Sequence, residues 1–117
     1  MSYDISNWRS TAFSRLARET VPERPGVYAI LRVNRVLGLP MAAEAIYIGK
    51  TKNLRRRMGS HLDPATAHNE HVGSIQDREA LEFWCNLMPG DQTTAAEKIL
   101  IQIIKPTANK VRYGISL

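Results

Sequence analysis

The amino-acid sequence predicts a small α/β domain of the α+β type, in which helices flank a three-stranded, mainly antiparallel sheet. Three short runs alternate apolar and polar residues with the period of a strand, and three other runs repeat apolar residues with the period of a helix. The predicted order is helix, strand, strand, helix, strand, helix. Two adjacent strands and a third that returns after a helix form one compact sheet.

The first predicted element is an amphipathic helix over residues 6–19. Trp8, Phe13 and Leu16 recur there at helical spacing, and arginines fall between them. Pro22 follows, and a proline ends a helix because its ring removes a backbone donor and clashes with the preceding turn. The helix is therefore predicted to stop before the first strand.

The first two strands are predicted to form a hairpin with an enlarged loop. Residues 26–33 alternate apolar and polar side chains, and residues 45–50 form a second β-rich run. The segment between them, residues 34–44, contains Gly38 and Pro40 and is long for a hairpin connection. We therefore expect this segment to be a loop.

A second helix follows the hairpin. Thr51 or Asn53 can cap its N-terminus, and the apolar spacing predicts that it runs to about Leu62. Residues 63–79 are polar and irregular, which predicts a loop with at most a short helical turn.

The third strand and the last helix complete the domain. Residues 81–87 alternate in a way that puts Cys85 on the buried face. The last helix is predicted to start at Thr94 and to end at Lys105, because a residue before a proline is disfavoured from helical geometry.

Length and cysteine content limit the class of protein. A chain of 117 residues with 44% apolar residues can bury a core without disulfides or a structural metal. This length predicts one domain over 1–117, with an N-terminal helix in 1–24, a core in 25–110 and a short tail in 111–117. The lone Cys85 excludes the disulfide-rich secreted class and four-cysteine zinc modules, so we expect a cytoplasmic protein. The longest apolar stretch is too short for a membrane span.

The positive charge is concentrated in one segment. The chain carries 16 Lys and Arg against 11 Asp and Glu, a net charge of +5, and no acidic residue lies between Glu44 and Asp63. Five basic residues fall within this interval: Lys50, Lys52, Arg55, Arg56 and Arg57. They pass from a strand end into a helix N-terminus, where free backbone N–H groups also favour anions. This predicts a phosphate-binding surface, with a merely solvated helix face as the alternative.

Five short motifs, in this order and spacing, resemble the GIY-YIG nuclease family. They are Gly26-Val27-Tyr28, Tyr47-Ile48-Gly49-Lys50, Arg57 with His61, Glu97, and Asn109. The resemblance covers about residues 25–110. It departs from the family in the connection between the two motif strands, where Tyr28 and Tyr47 stand 19 positions apart. The insertion over 35–44 is either an inert loop or a contact to substrate or partner.

The resemblance implies a metal-dependent phosphodiesterase with a GIY-YIG endonuclease fold that acts on DNA. Glu97 would hold Mg²⁺ or Mn²⁺, because Mg²⁺ takes only one or two carboxylates and keeps several waters. Arg57 would bind the phosphate with its charged planar fork. Tyr28 is the favoured residue for activating water, and Tyr47 and His61 remain open alternatives. A free tyrosine titrates near 10, so a tyrosine base requires a stabilised phenolate, whereas a histidine requires no shift.

The other motif residues have supporting roles in this interpretation. Lys50, Lys52, Arg55 and Arg56 would bind substrate, and Gly26, Gly49 and Asn109 would support the site. Structural alternatives exist for several residues. Thr94 and Glu97 fit a helix capping box. His68 and His71 are expected on the surface rather than on zinc, and Trp8 and Trp84 in packing rather than in base stacking.

Besides an active endonuclease, two other functions remain open at this stage. The chain is either an active endonuclease, a nucleic-acid-binding module that no longer cuts, or a subunit whose cutting depends on a protein partner. The last alternative arises because no helix-turn-helix or zinc finger is visible to supply specificity. The expected partners are DNA and a specificity-giving protein, without a membrane; the oligomeric state is left open.

Overall fold

A four-stranded antiparallel sheet organises the computed structural model, which describes residues 7–63 and 78–109. The elements in chain order are β1 (Trp8–Ala12), α1 (Arg15–Arg18), β2 (Gly26–Val36), β3 (Leu39–Thr51), α2 (Leu54–Leu62), a 3₁₀ turn (Arg78–Ala80), β4 (Leu81–Leu87) and α3 (Gly90–Ile104). The order of the strands in the sheet is β1-β4-β2-β3. The predicted α+β class is confirmed, but the sheet has four strands rather than three. His68, His71 and the predicted tail lie outside the described residues.

The prediction of an N-terminal helix over 6–19 was wrong. The additional strand, β1, takes up Trp8–Ala12 of that segment. Strand β1 pairs with β4, with Trp8 opposite Asn86 and Ala12 opposite Glu82. Only four residues after it are helical, and the Ser14 hydroxyl caps them by accepting from the Ala17 N–H at 3.1 Å. The ladder to β4 satisfies the backbone of β1 and overrides a helical pattern that is too short to be stable alone.

The predicted enlarged loop was also wrong, because both strands continue through it. Strands β2 and β3 pair as far as Val36 and Leu39, and register shifts absorb the extra residues. Leu37 and Gly38 close the hairpin with φ of 53° and 84°, the left-handed conformation that a tight two-residue hairpin turn needs. The insertion is therefore an extended β-ribbon.

One salt bridge holds this ribbon against the sheet. The Arg35 guanidinium binds both carboxylate oxygens of Glu82 on β4, and its Nη1 donates to the Gly38 carbonyl at 2.9 Å. Beyond this bridge the ribbon presents exposed apolar side chains, namely Val36, Leu37, Leu39 and Met41. The ribbon tip is thus fixed in place although its apolar side chains are not buried.

Apolar residues are buried on both faces of the sheet. One cluster joins Ile30 and Phe83 of the sheet to Met58 of α2, and it includes Cys85, as the alternation predicted. The other joins Val27 and Ile48, among others, to Ala96 and Ile101 of α3, with Trp8 and Trp84 packed at its margin. Both tryptophans therefore pack, as expected. Among the described residues, no helix is long and apolar enough to cross a bilayer.

The last helix starts earlier than predicted. Helix α3 begins at Gly90 after Pro89, so the predicted start at Thr94 was wrong, and the capping box considered as an alternative for Thr94 and Glu97 does not form. The Gln92 N–H donates to the Pro89 carbonyl at 2.9 Å, which closes the first turn before the chain reaches Thr94. The helix ends at Ile104, and Lys105 caps it in the left-handed conformation, with φ of 55° and its N–H donating to the Ile101 carbonyl at 2.9 Å.

The chain that follows α3 covers the outer edge of β3. The Ala108 N–H donates to the Ile46 carbonyl at 2.8 Å. The Asn109 side chain accepts from the Ile48 N–H at 2.9 Å and donates to the Ile48 carbonyl at 2.8 Å. Asn109 thus completes the hydrogen bonding of an edge strand next to the motif residues of β3.

Candidate active site

Three side chains from separate elements meet on the α2 face of the sheet. Tyr28 projects from β2, Tyr47 from β3 and His61 from α2. The Tyr28 hydroxyl lies 2.9 Å from His61 Nε2, and the Tyr47 ring centroid lies 5.3 Å from that of His61. Tyr28 and His61 are completely buried, with 0% exposure each. The three rings therefore form one aromatic cluster beneath the surface.

Helix α2 positions His61 because the helix is capped at its N-terminus and buried along one face. Asn53 caps the helix by accepting from the Arg56 N–H at 3.1 Å. Leu54 and Met58 bury one face of the helix, and His61 lies on the same face one turn further on. The local sequence thus aims the imidazole at the sheet.

Burial dominates the electrostatics of Tyr28. It raises the pKa of the Tyr28 phenol well above the ordinary value, and the nearby Tyr47 raises it further. Arg57 opposes this shift through its charge and through a hydrogen bond to Tyr28. Tyr28 is therefore a neutral phenol at neutral pH, held between Arg57 and His61.

Tyr47 belongs to the same coupled group. Burial is the main cause that raises the pKa of Tyr47, and the negative charge of Glu97 is the second. Arg57 and a hydrogen bond with Tyr28 lower it. The Glu97 carboxylate and the Arg57 guanidinium therefore both act on the pKa of the two tyrosines.

Glu97 lies half-buried on α3 and faces the edge of β3. Burial raises the pKa of its carboxyl group, whereas the Lys50 ammonium and a hydrogen bond from the Lys50 backbone lower it. The Lys50 side chain also donates to the Thr94 hydroxyl at 2.6 Å. Thr94 had no predicted role at the site. Its position one turn before Glu97 was a usable signal, because residues three apart share a helix face.

A basic cleft of about 600 Å³ opens beside the aromatic cluster, between the first turns of α2 and α3. Its lining residues are Lys50, Thr51, Lys52, Asn53, Arg56, Arg57, Ser60, Gly90 and Thr93. Four predicted site residues thus share this cleft with polar groups from α3. Gly90 and Thr93 are additions for which the sequence alone gave no signal, because only the packing of α3 brings them there. Ser60 is a further addition that helical spacing could have indicated, since it lies one turn after Arg56 and Arg57 on α2.

Arg55 was predicted to bind substrate, but it does not line the cleft. Its Nε donates to the Val21 carbonyl at 2.8 Å and its Nη2 to the Glu19 carbonyl at 3.1 Å. Successive helical residues point about 100° apart, so a run of arginines cannot all face one cavity. Arg55 ties α2 to the segment that follows α1.

Two motif glycines make room for neighbouring atoms. A Cβ at Gly49 would lie 2.5 Å from the Tyr28 hydroxyl oxygen and 2.6 Å from its Cζ. A Cβ at Gly26 would lie 2.5 Å from the Asn86 carbonyl oxygen. Gly49 therefore lets the Tyr28 ring cross over β3, and Gly26 lets β4 approach β2.

The donor set fits magnesium better than zinc. Among residues 7–63 and 78–109, no group of three or more His, Cys, Asp and Glu side chains could hold a metal ion. A single carboxylate beside an open polar cleft suits Mg²⁺, which keeps several waters and also takes substrate oxygens. Glu97 provides that carboxylate, within electrostatic reach of both tyrosines.

Comparisons with known proteins agree with the motif pattern. The family model described as the GIY-YIG catalytic domain matches residues 24–111. UvrABC system protein C of Aquifex aeolicus is 33% identical over 91 residues, which cover 78% of this chain and 14% of that protein. The same protein of Acidobacterium capsulatum is 35% identical over 91 residues, which cover 77% of this chain and 13% of that protein. The chain thus spans about a seventh of the length of these curated relatives.

Solved structures give the same result. The GIY-YIG N-terminal endonuclease domain of UvrC from Thermotoga maritima, bound to magnesium as its catalytic divalent cation, has a TM-score of 0.56 and 29% identity. The alignment covers 81% of this chain and 93% of that one. A point mutant of that domain, also bound to its catalytic divalent cation, has a TM-score of 0.58 and 28% identity, with coverage of 83% and 94%. The fold therefore matches almost the whole of those domains.

Proposed function

This chain belongs to the GIY-YIG catalytic domain family, and from that premise we propose that it is a divalent-metal-dependent DNA endonuclease that hydrolyses phosphodiester bonds. One observation carries the proposal: the phenol of Tyr28 is coupled electrostatically to both Arg57 and Glu97. These three residues come from β2, α2 and α3, and Arg57 also lines the basic cleft. Phosphodiester hydrolysis needs an activated water and stabilised charge, which these three residue types can provide together.

We assign the cation to Glu97. The related UvrC domain binds magnesium as its catalytic cation, and Glu97 is the half-buried carboxylate beside the cleft. Mg²⁺ or Mn²⁺ bound there supplies Lewis-acid stabilisation of charge on the phosphate and the leaving oxygen. The Lys50 backbone holds the carboxylate in place through its hydrogen bond.

Arg57 would orient the scissile phosphate. Its planar guanidinium matches two phosphate oxygens and stays charged at all working pH values. Lys50, Lys52 and Arg56 line the same cleft and would bind the neighbouring phosphates. Their charges also attract the polyanion before it docks.

Tyr28 would activate the attacking water by a proton relay. As Tyr28 Oη takes a proton from the water, the phenol passes its own proton to His61 Nε2, which lies 2.9 Å away. The relay avoids an isolated buried phenolate, which the raised pKa of Tyr28 shows to be unfavourable. Because its Nε2 faces the Tyr28 hydroxyl, His61 would act through Tyr28 rather than on the substrate. Tyr47 contacts Tyr28 and would position it.

A protein partner that supplies specificity is a second proposal. The curated relatives are named as members of a UvrABC system, and the chain spans about a seventh of their length. The cleft is lined by charged and small polar groups that bind phosphates without reading a sequence. A cytoplasmic location would suit such a DNA-processing protein.

Glu97→Gln provides the direct test of cutting. We expect the purified chain to nick supercoiled plasmid in Mg²⁺ and to stop when a chelator is added. Glu97→Gln should lower the rate by at least about 100-fold while DNA retention persists, because the basic cleft is intact. Glu44→Gln, an exposed carboxylate on the ribbon, is the matched control and should cut normally. A wild-type chain that binds DNA but cuts no linear, supercoiled or branched substrate would favour the non-cleaving module.

A further inference from the structure

A second cavity, the side groove, lies beside the basic cleft. It has a volume of about 350 Å³ and is lined by Arg24, Pro25, Leu87, Met88 and Pro89. Its size is within the range of small ligand sites, about 300–1,000 Å³. The lining is apolar apart from Arg24, whose side chain is exposed. It therefore contrasts with the polar cleft next to it.

The sheet places the two cavities side by side. Gly26 of β2 pairs with Thr51 of β3, which lines the cleft, and with Leu87 of β4, which lines the groove. Two strand spacings separate Thr51 from Leu87, or about 10 Å. Stacked nucleotides of one strand rise about 3.4 Å each, so the groove is within about three nucleotides of a phosphate in the cleft.

The walls of the groove are fixed before any ligand arrives. The Arg24 carbonyl accepts from the Leu54 N–H at 3.0 Å, and the Pro25 carbonyl accepts from the Met88 N–H at 3.2 Å. Two of its five lining residues are prolines, which restrict the backbone. A ligand that enters therefore pays little to order the site.

We propose that the side groove receives one unstacked nucleobase of the DNA strand whose phosphates occupy the cleft. This inference rests on the proposed function and specifies its substrate class as DNA with an unstacked base near the cut. The flat face of a base can pack on Met88 and the prolines, and the Arg24 guanidinium can stack on it or bind its phosphate. Arg24 is the one side-chain hydrogen-bond donor among the groove's lining residues, so the groove accepts any of the four bases.

Continuity and charge favour a nucleobase over an apolar side chain of a partner protein. Pro89 of the groove is bonded directly to Gly90 of the cleft, so one strand can lie across both cavities. The exposed Arg24 extends the positive charge of the cleft to the groove. A protein ligand would need to share this edge with the DNA backbone.

The test compares two probes with equal numbers of phosphates. One is a short single-stranded oligothymidylate, and the other is an abasic deoxyribose-phosphate chain of the same length. Both carry one fluorescent label and are titrated with the 117-residue chain in chelator, which prevents cutting. We expect the wild-type chain to bind the base-bearing probe about tenfold more tightly, the scale of one stacked base.

Met88→Ala isolates the groove, and Met41→Ala is its matched control on the exposed ribbon. We expect Met88→Ala to reduce the preference for the base-bearing probe to about twofold, with unchanged affinity for the abasic probe. Met41→Ala should keep the full preference. A preference retained in Met88→Ala would overturn the proposal, as would equal binding of both probes by the wild-type chain, which would favour a protein ligand. Equal weakening of both probes by Met88→Ala would also overturn it, because the effect would then come from the fold.

The outcome is separable from that of the proposed function. A base preference that depends on Met88, in a chain that cuts no DNA, would support the groove and reject the nuclease. Cutting without a base preference would support the nuclease and reject the groove. Failure to bind either probe would reject the groove, and plasmid nicking in Mg²⁺ would decide the nuclease separately.

Discussion

At the residue scale, the contact between Tyr28 and His61 would make water activation, as proposed above, depend on both residues together. Burial raises the pKa of the phenol, so an isolated Tyr28 would lose its proton only at high pH. The imidazole 2.9 Å away offers that proton a nearby acceptor. Catalysis by such a base contributes about 10²–10⁴-fold.

His61→Phe keeps the ring and removes the acceptor. We expect the cutting rate at pH 7 to fall by about 100-fold and to recover as pH rises, because the phenol must then ionise alone against its raised pKa. A pH–rate profile measures this. Tyr28→Phe should lose the rate at every pH, and the double variant should be no worse than Tyr28→Phe. A His61→Phe profile that is parallel to wild type would reject the relay.

Gly49 tests the geometry of the same phenol. Gly49→Ala puts a Cβ 2.5 Å from the Tyr28 hydroxyl oxygen, so the buried ring must move. We expect a loss of about 1–3 kcal/mol in the free energy of unfolding, measured in urea, together with loss of cutting. Gly90→Ala is the matched control for stability. Its Cβ meets nothing within 4 Å, and it should be neutral or stabilising by up to about 1 kcal/mol.

At the element scale, helix α2 separates two neighbouring arginines into different roles. Arg56 lines the cleft, whereas Arg55 donates to the Val21 and Glu19 carbonyls. We expect Arg56→Gln to reduce the salt slope of DNA binding by about 0.9, the contribution of one phosphate contact. Arg55→Gln should leave that slope unchanged and lower the free energy of unfolding by about 1–3 kcal/mol. Anisotropy titrations at several salt concentrations and urea unfolding measure the two effects. Equal slopes for the two variants would contradict the assignment.

The ribbon should show a pH dependence of its own. Hydrogen bonding to Arg35 lowers the pKa of the Glu82 carboxyl group. A lowered pKa stabilises the fold above the unfolded pKa, about 4.3, and that stabilisation is lost as pH falls through the folded pKa. The free energy of unfolding of wild type minus that of Glu82→Gln should therefore be constant near neutrality and shrink on acidification. Arg35→Gln should weaken this dependence and leave the smaller part that comes from the Trp84 N–H, which also donates to Glu82. A difference that grows on acidification would contradict the assignment.

Motif strands, by contrast with the ribbon, could be predicted because their signals are local. Period-two alternation located the strand of Tyr28, a β-rich run located that of Tyr47, and the cap and apolar spacing located α2 with Arg57 and His61. The helix predicted for the N-terminal segment was wrong because that segment becomes a strand only by pairing with the edge of β4. The loop predicted in place of the ribbon was wrong because Gly38 indicates a turn but does not indicate how far the strand pairing extends on either side of it. Both errors concern partners that are distant in sequence.

At the scale of the whole molecule, the site depends on contacts between opposite ends of the core. Asn109 satisfies both backbone groups of Ile48, next to Tyr47 and Gly49. Asn109→Ala removes two hydrogen bonds, and we expect a loss of about 1–3 kcal/mol of stability and a several-fold slower cut. Asn34→Ala on the exposed ribbon should change neither quantity. Urea unfolding and plasmid nicking measure the pair, and full stability with lost cutting would indicate a direct chemical role for Asn109.

The closure of the β3 edge also bears on synthesis at the ribosome. Tyr28 emerges early, but within residues 7–63 and 78–109 the outer side of the strand carrying Tyr47 is hydrogen-bonded by residues 107–109, which emerge late. Glu97 likewise emerges some seventy residues after Tyr28. A nascent chain therefore exposes its basic segment to nucleic acid long before it can assemble a cutting centre. The order of the elements along the chain would therefore prevent cutting of nucleic acid until translation of the core is nearly finished.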